Sequence, residues 1–104
     1  MKHYHIYVFS QDNCKPCQAL KDYTRTLTPA EQGELDFVPL RTPAGQYTTL
    51  AQTLQVMQTP TMVVVHEAWD QYKESMVETV VGARAIMQTL DATIDAYTYA
   101  HPPE

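Results

Sequence analysis

The sequence predicts an α/β fold in which a mixed four-stranded sheet is flanked by three helices, in the order β-α-β-α-β-β-α. Three observations support this prediction. Strand-like and helix-like hydrophobic patterns alternate along the chain. The strand-helix-strand run at the start is typical of a parallel strand pair joined by a crossover helix. The last two predicted strands are close enough in sequence to form an antiparallel hairpin.

The first half of the chain supplies two strands and two helices. Tyr4–Phe9 is rich in β-branched and aromatic side chains, which predicts the first strand. A helix is predicted from Pro16, because a first-turn proline lacks only an N–H group that would have no partner there. The buried face of this helix comprises Cys17, Leu20, Thr24 and Leu27. Thr28-Pro29 ends or interrupts the helix, and Gly33 marks a turn. Leu35–Leu40 is the second predicted strand, which Pro39 places at a sheet edge or near the strand end, and Tyr47–Leu54 is a short helix.

The second half supplies the hairpin and the last helix. Met62–Val65 predicts a buried strand and Met76–Val81 a fourth strand. Between them, His66–Ser75 is predicted to be a polar hairpin loop in which Trp69 is a partly covered anchor. The last helix is predicted from about Arg84 to Tyr97. Its buried face comprises Ile86, Leu90, Ile94 and Tyr97.

Length, composition and charge limit the class of protein. The 104 residues predict one domain that spans residues 1–104. The hydrophobic share of 44% and the charged share of 18% are typical of a globular protein. A net charge of −5 without a Lys/Arg cluster argues against nucleic-acid binding. Since the start lacks a signal-peptide pattern and the longest purely apolar run is Met62–Val65, we expect a cytoplasmic protein without a membrane span.

The stretch NCKPC, residues 13–17, contains both cysteines of the chain. The spacing of Cys14 and Cys17 is typical of a redox pair, half of a metal site or a local clip. A reducing cytoplasm argues against a permanent clip. A zinc site would require histidines as further ligands, and none of them shows the spacing of a zinc finger. These histidines are His3, His5, His66 and His101. The redox interpretation is therefore favoured, with no bound metal expected and zinc as the weaker alternative.

The two cysteines are expected to differ in reactivity. Cys14 precedes the first turn of a predicted helix, where free N–H groups and the positive end of the helix dipole favour a thiolate. Lys15 adds a positive charge beside it. Cys17 lies on the buried face and should hold its proton more firmly. We therefore predict that Cys14 is the nucleophile and Cys17 the resolving thiol.

Three motifs together resemble the thioredoxin family over nearly the whole chain, in the order that the family has. They are Cys14-x-Pro16-Cys17 between a strand and a helix, Thr59-Pro60-Thr61 before a buried strand, and Val80-Val81-Gly82-Ala83 before the last helix. The Val-Gly-Ala junction favours a thioredoxin over a glutaredoxin, which usually carries two glycines there.

The resemblance implies a substrate groove beside the cysteine pair. In thioredoxins the proline at the position of Pro60 is cis and lies against the cysteines. The backbone at the position of Thr59 pairs with the extended chain of a substrate. Val81, Gly82 and Ala83 would form the other wall of this groove. Gly82 also has a simpler interpretation as a residue that ends the strand.

The sequence departs from the family at positions that should tune the cysteine pair. Asn13 replaces the usual aromatic residue, and Lys15-Pro16 replaces the usual Gly-Pro. Val8 stands where thioredoxins carry a buried Asp that helps to deprotonate the resolving thiol, so the proton of Cys17 must leave by another route. A thiolate stabilised by Lys15 would make the protein less reducing. Alternatively, Lys15 is a solvated charge of little effect.

The resemblance implies a protein-disulfide reductase that takes part in electron transport and redox homeostasis. Its redox group would be the Cys14–Cys17 pair, without a further cofactor. Substrates would be disulfide-containing proteins, with ribonucleotide reductase as an example, and the electron source a thioredoxin reductase or glutathione. We expect a monomer. The alternative is a thioredoxin-fold binding or assembly subunit that uses its surface and does not use its thiols.

Overall fold

In the computed structural model, residues 4–66 and 76–98 are described, and they form a four-stranded sheet with four helices. The strands are Tyr4–Ser10 (β1), Leu35–Pro39 (β2), Thr61–His66 (β3) and Met76–Val81 (β4). The helices are Lys15–Thr24 (α1), Pro29–Gly33 (α2), Thr49–Thr53 (α3) and Ala83–Tyr97 (α4).

The strand order in the sheet is β2-β1-β3-β4. β1 is parallel to β2 and antiparallel to β3, and β3 is antiparallel to β4. The predicted parallel pair and the predicted antiparallel hairpin are therefore both confirmed, and the sheet is mixed. β2 lies at an edge and ends at Pro39, the placement that the proline predicted.

Apolar side chains cover both faces of the sheet. On one face, residues of β1 and β3 pack against α1 and α4; this cluster comprises Ile6, Val8, Leu20, Met62, Val64, Ile86, Leu90 and Ile94. On the other face the cluster includes α3 and comprises Phe9, Leu40, Ala51, Leu54, Val56, Val63 and Val65. Because β3 is buried on both faces, its sequence is a continuous apolar run without alternation.

The additional short helix α2 follows α1, where the sequence predicted only a helix end and a turn. The hydroxyl of Thr28 accepts from the N–H of Glu31 at 3.2 Å, and the Glu31 carboxylate accepts from the N–H of Thr28 at 2.9 Å. Pro29 occupies the first turn. This reciprocal capping box supplies partners for two N–H groups that the helix leaves free. The described residues thus contain four helices, one more than predicted.

The other element bounds agree with the prediction to within two residues, except that α1 ends at Thr24, three residues before the predicted Leu27. α3 begins after Thr48, because the Thr48 hydroxyl accepts from the N–H of Ala51 at 3.2 Å and caps the helix. α4 begins at Ala83, one residue before the predicted start. Its three fully buried apolar residues are those predicted, whereas Tyr97 is only partly buried.

Some predictions concern residues outside the described ranges. The predicted loop His66–Ser75 with Trp69 lies outside them, apart from His66 at the end of β3. His3 and His101 also lie outside them. Within the described part of the chain, every helix is too short or too polar to cross a bilayer.

Candidate active site

Cys14 and Cys17 lie at the start of α1 and are joined by a disulfide bond, with their Cα atoms 5.2 Å apart. Cys14 is partly exposed, whereas Cys17 is only 2% exposed and belongs to the core. Cys14 is therefore the cysteine of this pair that a partner molecule can reach. It could attack a partner's sulfur or be attacked by one. This difference in accessibility supports the predicted division between nucleophile and resolving thiol.

Cys14 is also the N-cap residue of α1. Its backbone is extended, and its Sγ accepts a hydrogen bond from the N–H of Cys17 at 3.2 Å. Pro16 occupies the first turn, where its missing N–H costs nothing. The N–H donor and the positive end of the helix dipole both favour negative charge on the Cys14 sulfur when the disulfide is reduced.

Asn13 forms the turn that leads into the cysteine pair. Its φ of +59° lies in the left-handed region, which asparagine adopts more readily than most residues with a side chain. Its side chain is exposed, as are those of Lys15 and Pro16. The structure thus gives a backbone reason for asparagine at the position where thioredoxins carry an aromatic residue.

The segment before β3 lies against the exposed sulfur. The Thr59–Pro60 peptide bond is cis, and Pro60 is buried. The carbonyl oxygen of Thr59 is 3.9 Å from Cys14 Sγ, and the Thr59 hydroxyl donates to the same sulfur at 3.5 Å. The fold therefore brings together the two motifs that the sequence singled out, which are far apart along the chain.

The junction between β4 and α4 lies beside the same segment. The N–H of Gly82 donates to the carbonyl oxygen of Pro60 at 2.9 Å, and Val81 pairs with Thr61 in the sheet. Val81 is 48% exposed, so its side chain lies at the surface beside this segment. The side chain of Ala83 packs against the hydrophobic core and so anchors the junction to it.

Several residues near the disulfide have no motif in the sequence. One hollow contains both cysteines and is lined by Gln11, Asp12, Asn13, Cys14, Lys15, Cys17, Gln18 and Lys21. A second hollow contains both Val81 and Met57, which is 73% exposed. Met57 lies two residues before Thr59 in the sequence, and this position is the one signal that could have indicated Met57 as a residue of the site.

Val8 fills the position of the family's buried acid with an apolar side chain. It is 1% exposed and packs in the core with residues such as Ile6 and Met62. β1 carries no carboxylate, and Asp12 is the acidic residue among those that line the hollow at the cysteines. Burial of an unpaired carboxylate among these apolar side chains would be costly, so valine is consistent with this core.

No cluster for a metal ion is found among residues 4–66 and 76–98. Of the histidines considered as zinc ligands, His5 instead contacts the carboxylate of Asp36 at 3.2 Å. His66 ends β3, with its ring 5.0 Å from that of Tyr4. Both described histidines thus have contacts elsewhere than at the cysteine pair.

The mixed sheet, the disulfide at a helix N-terminus and the adjacent cis-proline define a thioredoxin fold, and comparison with solved structures confirms it. Thioredoxin f2 of Chlamydomonas reinhardtii matches with a TM-score of 0.63 and 21% identity, covering 100% of this chain and 84% of that one. The thioredoxin of Malassezia sympodialis gives a TM-score of 0.64 and 21% identity, with 92% and 78% covered. A mutant thioredoxin of Halobacterium salinarum gives 0.61 and 28%, with 93% and 76% covered.

No protein-family model and no curated protein matches the sequence. The resemblance to thioredoxins is instead confirmed by the fold, together with the Cys14–Cys17 pair at the start of α1.

Proposed function

We propose that this protein reduces disulfide bonds in other proteins through a dithiol–disulfide cycle at Cys14 and Cys17. One observation carries the proposal: the partly exposed Cys14 sulfur caps α1 and lies 3.9 Å from the carbonyl oxygen of Thr59, next to the cis-proline Pro60. The capping position at the N-terminus of α1 favours a thiolate on the accessible sulfur. The arrangement also presents backbone groups to a substrate at the place where the sulfur must attack.

The proposed cycle transfers two electrons. The Cys14 thiolate attacks one sulfur of the substrate disulfide, forming a mixed disulfide and releasing the other substrate sulfur as a thiolate, which takes a proton. Cys17 then loses its proton and attacks Cys14 Sγ. This step forms the Cys14–Cys17 disulfide and releases the second substrate thiol. The substrate disulfide is reduced to two thiols, and the protein's dithiol is oxidised.

Substrate binding would use the surface around the exposed sulfur. The backbone at Thr59 would pair with an extended segment of the substrate, which provides affinity without selecting side chains. The exposed side chains of Met57 and Val81 would cover apolar groups of that segment. Gly82 would hold the Pro60 segment in place through its hydrogen bond to the Pro60 carbonyl.

The cycle requires an external dithiol or thiol to restore the reduced state. We propose a flavin-containing thioredoxin reductase or glutathione as this source. We also propose that the protein acts in the cytoplasm and is a monomer. Disulfide-containing enzymes such as ribonucleotide reductase are the class of acceptor. The cycle uses the cysteine pair as its redox group and calls for no further cofactor.

The decisive experiment traps the mixed disulfide. Cys17→Ser should leave substrate proteins bound covalently to Cys14, because the resolving thiol is gone, and mass spectrometry after non-reducing electrophoresis identifies them. The matched control is Cys14→Ser, which should trap none. Trapping by Cys14→Ser would reverse the assignment of the two sulfurs. Trapping by neither variant, together with no acceleration of insulin reduction by dithiothreitol, would contradict the proposed reductase.

A second candidate function is a non-redox binding subunit, which the exposure of Met57, Val77 and Val81 would also serve. A double variant, Cys14→Ser with Cys17→Ser, separates the two functions. We expect it to lose insulin reduction and to fail to replace the wild-type protein in cells. Full replacement by the double variant would favour the binding subunit.

A further inference from the structure

A chain of hydrogen bonds leads from Gln11 to the exposed sulfur. The Gln11 amide nitrogen donates to the Thr59 hydroxyl at 2.9 Å, and this hydroxyl donates to Cys14 Sγ at 3.5 Å. Gln11 lies three residues before Cys14 in the sequence and lines the hollow that contains both cysteines. The chain thus connects the loop after β1, the segment before β3 and the N-terminus of α1.

We propose that Gln11 is a positioning residue that fixes the direction of the Thr59 hydroxyl and thereby stabilises the Cys14 thiolate. The inference rests on the proposed function, in which Cys14 is the attacking sulfur. It assigns a role to a side chain that no sequence motif indicates.

The reason lies in the hydrogen-bonding capacity of a hydroxyl group. A threonine hydroxyl has one O–H donor and two acceptor sites, and its hydrogen rotates to suit its neighbours. The Gln11 amide can only donate through its nitrogen, so it occupies an acceptor site of the hydroxyl. The O–H is then directed away from Gln11, towards Cys14 Sγ at 3.5 Å. Donation by the amide also polarises the hydroxyl and strengthens the hydrogen bond to sulfur.

The direction of this hydroxyl matters because Thr59 presents two oxygens to the sulfur. The carbonyl oxygen, 3.9 Å from Cys14 Sγ, carries partial negative charge and opposes a thiolate. A hydroxyl that turned its lone pairs to the sulfur would oppose it as well. With the hydroxyl directed by Gln11, the sulfur instead receives two donors, the Thr59 O–H and the N–H of Cys17.

The test measures the thiolate directly in the full-length protein. In a Cys17→Ser background, the rate of alkylation of Cys14 by iodoacetamide is followed against pH. Gln11→Ala should move the midpoint of this profile to higher pH by about half a unit, because the hydrogen bond from the Thr59 hydroxyl to the sulfur is weakened. Below the midpoint, alkylation should slow about threefold. An unchanged profile would overturn the proposal.

A double-mutant cycle shows whether Gln11 acts through the hydroxyl. Thr59→Val keeps the branched shape and removes the O–H, and it should itself move the midpoint to higher pH. In this background, Gln11→Ala should cause no further movement, because no hydroxyl is left to direct. Equal movement in both backgrounds would mean that Gln11 acts on the sulfur by another route, which contradicts the proposal.

Two further variants sharpen the result. Gln11→Glu replaces the amide donor by a carboxylate that only accepts, so it should draw the O–H away from the sulfur and move the midpoint further than Gln11→Ala does. Its direct charge effect persists in Thr59→Val, so the difference between the backgrounds isolates the hydroxyl. The matched control is Gln18→Ala: Gln18 lines the same hollow, but its amide donates to Asp22 at 3.0 Å, and the profile should not move.

The profile requires no substrate, so it separates this proposal from the proposed function. A midpoint that moves as described in a protein that does not accelerate insulin reduction would contradict the reductase and support the role of Gln11. Active insulin reduction with a midpoint insensitive to Gln11→Ala would contradict the role of Gln11 alone.

Discussion

At the scale of single residues, Lys15 is the charge whose effect on the disulfide can be measured most directly. It is the first residue of α1, it is exposed, and it lines the hollow that contains Cys14 and Cys17. A positive charge at this position favours the Cys14 thiolate and therefore the reduced protein. A more stable reduced form makes the disulfide a stronger oxidant.

We predict that Lys15→Gly makes the protein more reducing. The equilibrium with glutathione should shift towards the Cys14–Cys17 disulfide by about threefold, because an exposed charge contributes little and is screened by salt. Lys15→Gln should act in the same direction, and Lys15→Arg, which keeps the charge, should leave the equilibrium near that of the wild type. An unchanged potential in both uncharged variants would show that Lys15 is only a solvated charge, and a higher potential would contradict the predicted direction.

The candidate site was predictable from the sequence as far as its residues belong to motifs. Cys14, Cys17 and Pro60 were indicated because each has a restricted chemical or backbone role that leaves a signature in the sequence. Gln11 and Met57 were missed, since a glutamine in a polar turn and a methionine before a proline are ordinary in any loop. Their positions relative to the sulfur depend on the packing of β1 beside β3, which no local pattern encodes.

At the scale of elements, the junction between β4 and α4 depends on the backbone of Gly82. Its φ of +98° with ψ of 143° is accessible essentially to glycine alone. A Cβ built at this position would have no atom within 4 Å, so space does not restrict the residue type. The requirement for glycine comes from the backbone conformation that lets the Gly82 N–H reach the Pro60 carbonyl.

We predict that Gly82→Ala lowers the free energy of unfolding by about 1–3 kcal/mol, the cost of this conformation for a residue with a side chain. Urea denaturation monitored by circular dichroism measures the change. The matched control is Gly33→Ala: Gly33 ends α2 with an ordinary φ and has equal space, so alanine should be neutral or stabilise by up to about 1 kcal/mol. A similar loss in both variants, or none in Gly82→Ala, would argue against a backbone requirement.

The short helix α2 illustrates why element boundaries are harder to predict than element types. Thr28-Pro29 was interpreted as the end of α1, because proline cannot continue a helix. The same proline is favourable at the first turn of a new helix, and Glu31 completes the capping box with Thr28. The sequence contained this signal, but a five-residue helix leaves no hydrophobic period that would confirm it.

At the scale of the whole molecule, the fold was predictable because the order of strand-like and helix-like hydrophobic patterns indicates that both faces of the sheet are buried. The apolar run Met62–Val65 in β3, two amphipathic helices and the end of β2 at Pro39 leave few arrangements that bury every apolar face. The loss of a buried acid at Val8 is compatible with this core, since it adds an apolar contact between the sheet and the helices.

The contacts of Tyr97 connect the last helix to both the first and the last strand of the sheet. Its ring lies 4.9 Å from that of Tyr4 in β1, in an edge-to-face arrangement, and the Glu78 carboxylate of β4 lies near its hydroxyl. Burial raises the pKa of Tyr97 above its ordinary value of 10.0, and the nearby Glu78 charge raises it further. The folded protein therefore favours the neutral phenol.

The raised pKa of Tyr97 gives a pH dependence of stability with a defined sign. Below a pH of about 10, Tyr97 is protonated in both states and its contribution is fully present. As the pH rises further, the Tyr97 phenol loses its proton in the unfolded chain before it does so in the folded protein. The contribution of Tyr97 to stability is therefore lost as the pH approaches the pKa of Tyr97 in the folded protein. We predict that the urea midpoint of the wild type falls relative to that of Tyr97→Phe from about pH 8 to about pH 10.5. Glu78→Gln removes one cause of the raised pKa and should weaken this dependence, whereas a constant difference between wild type and Tyr97→Phe would contradict it.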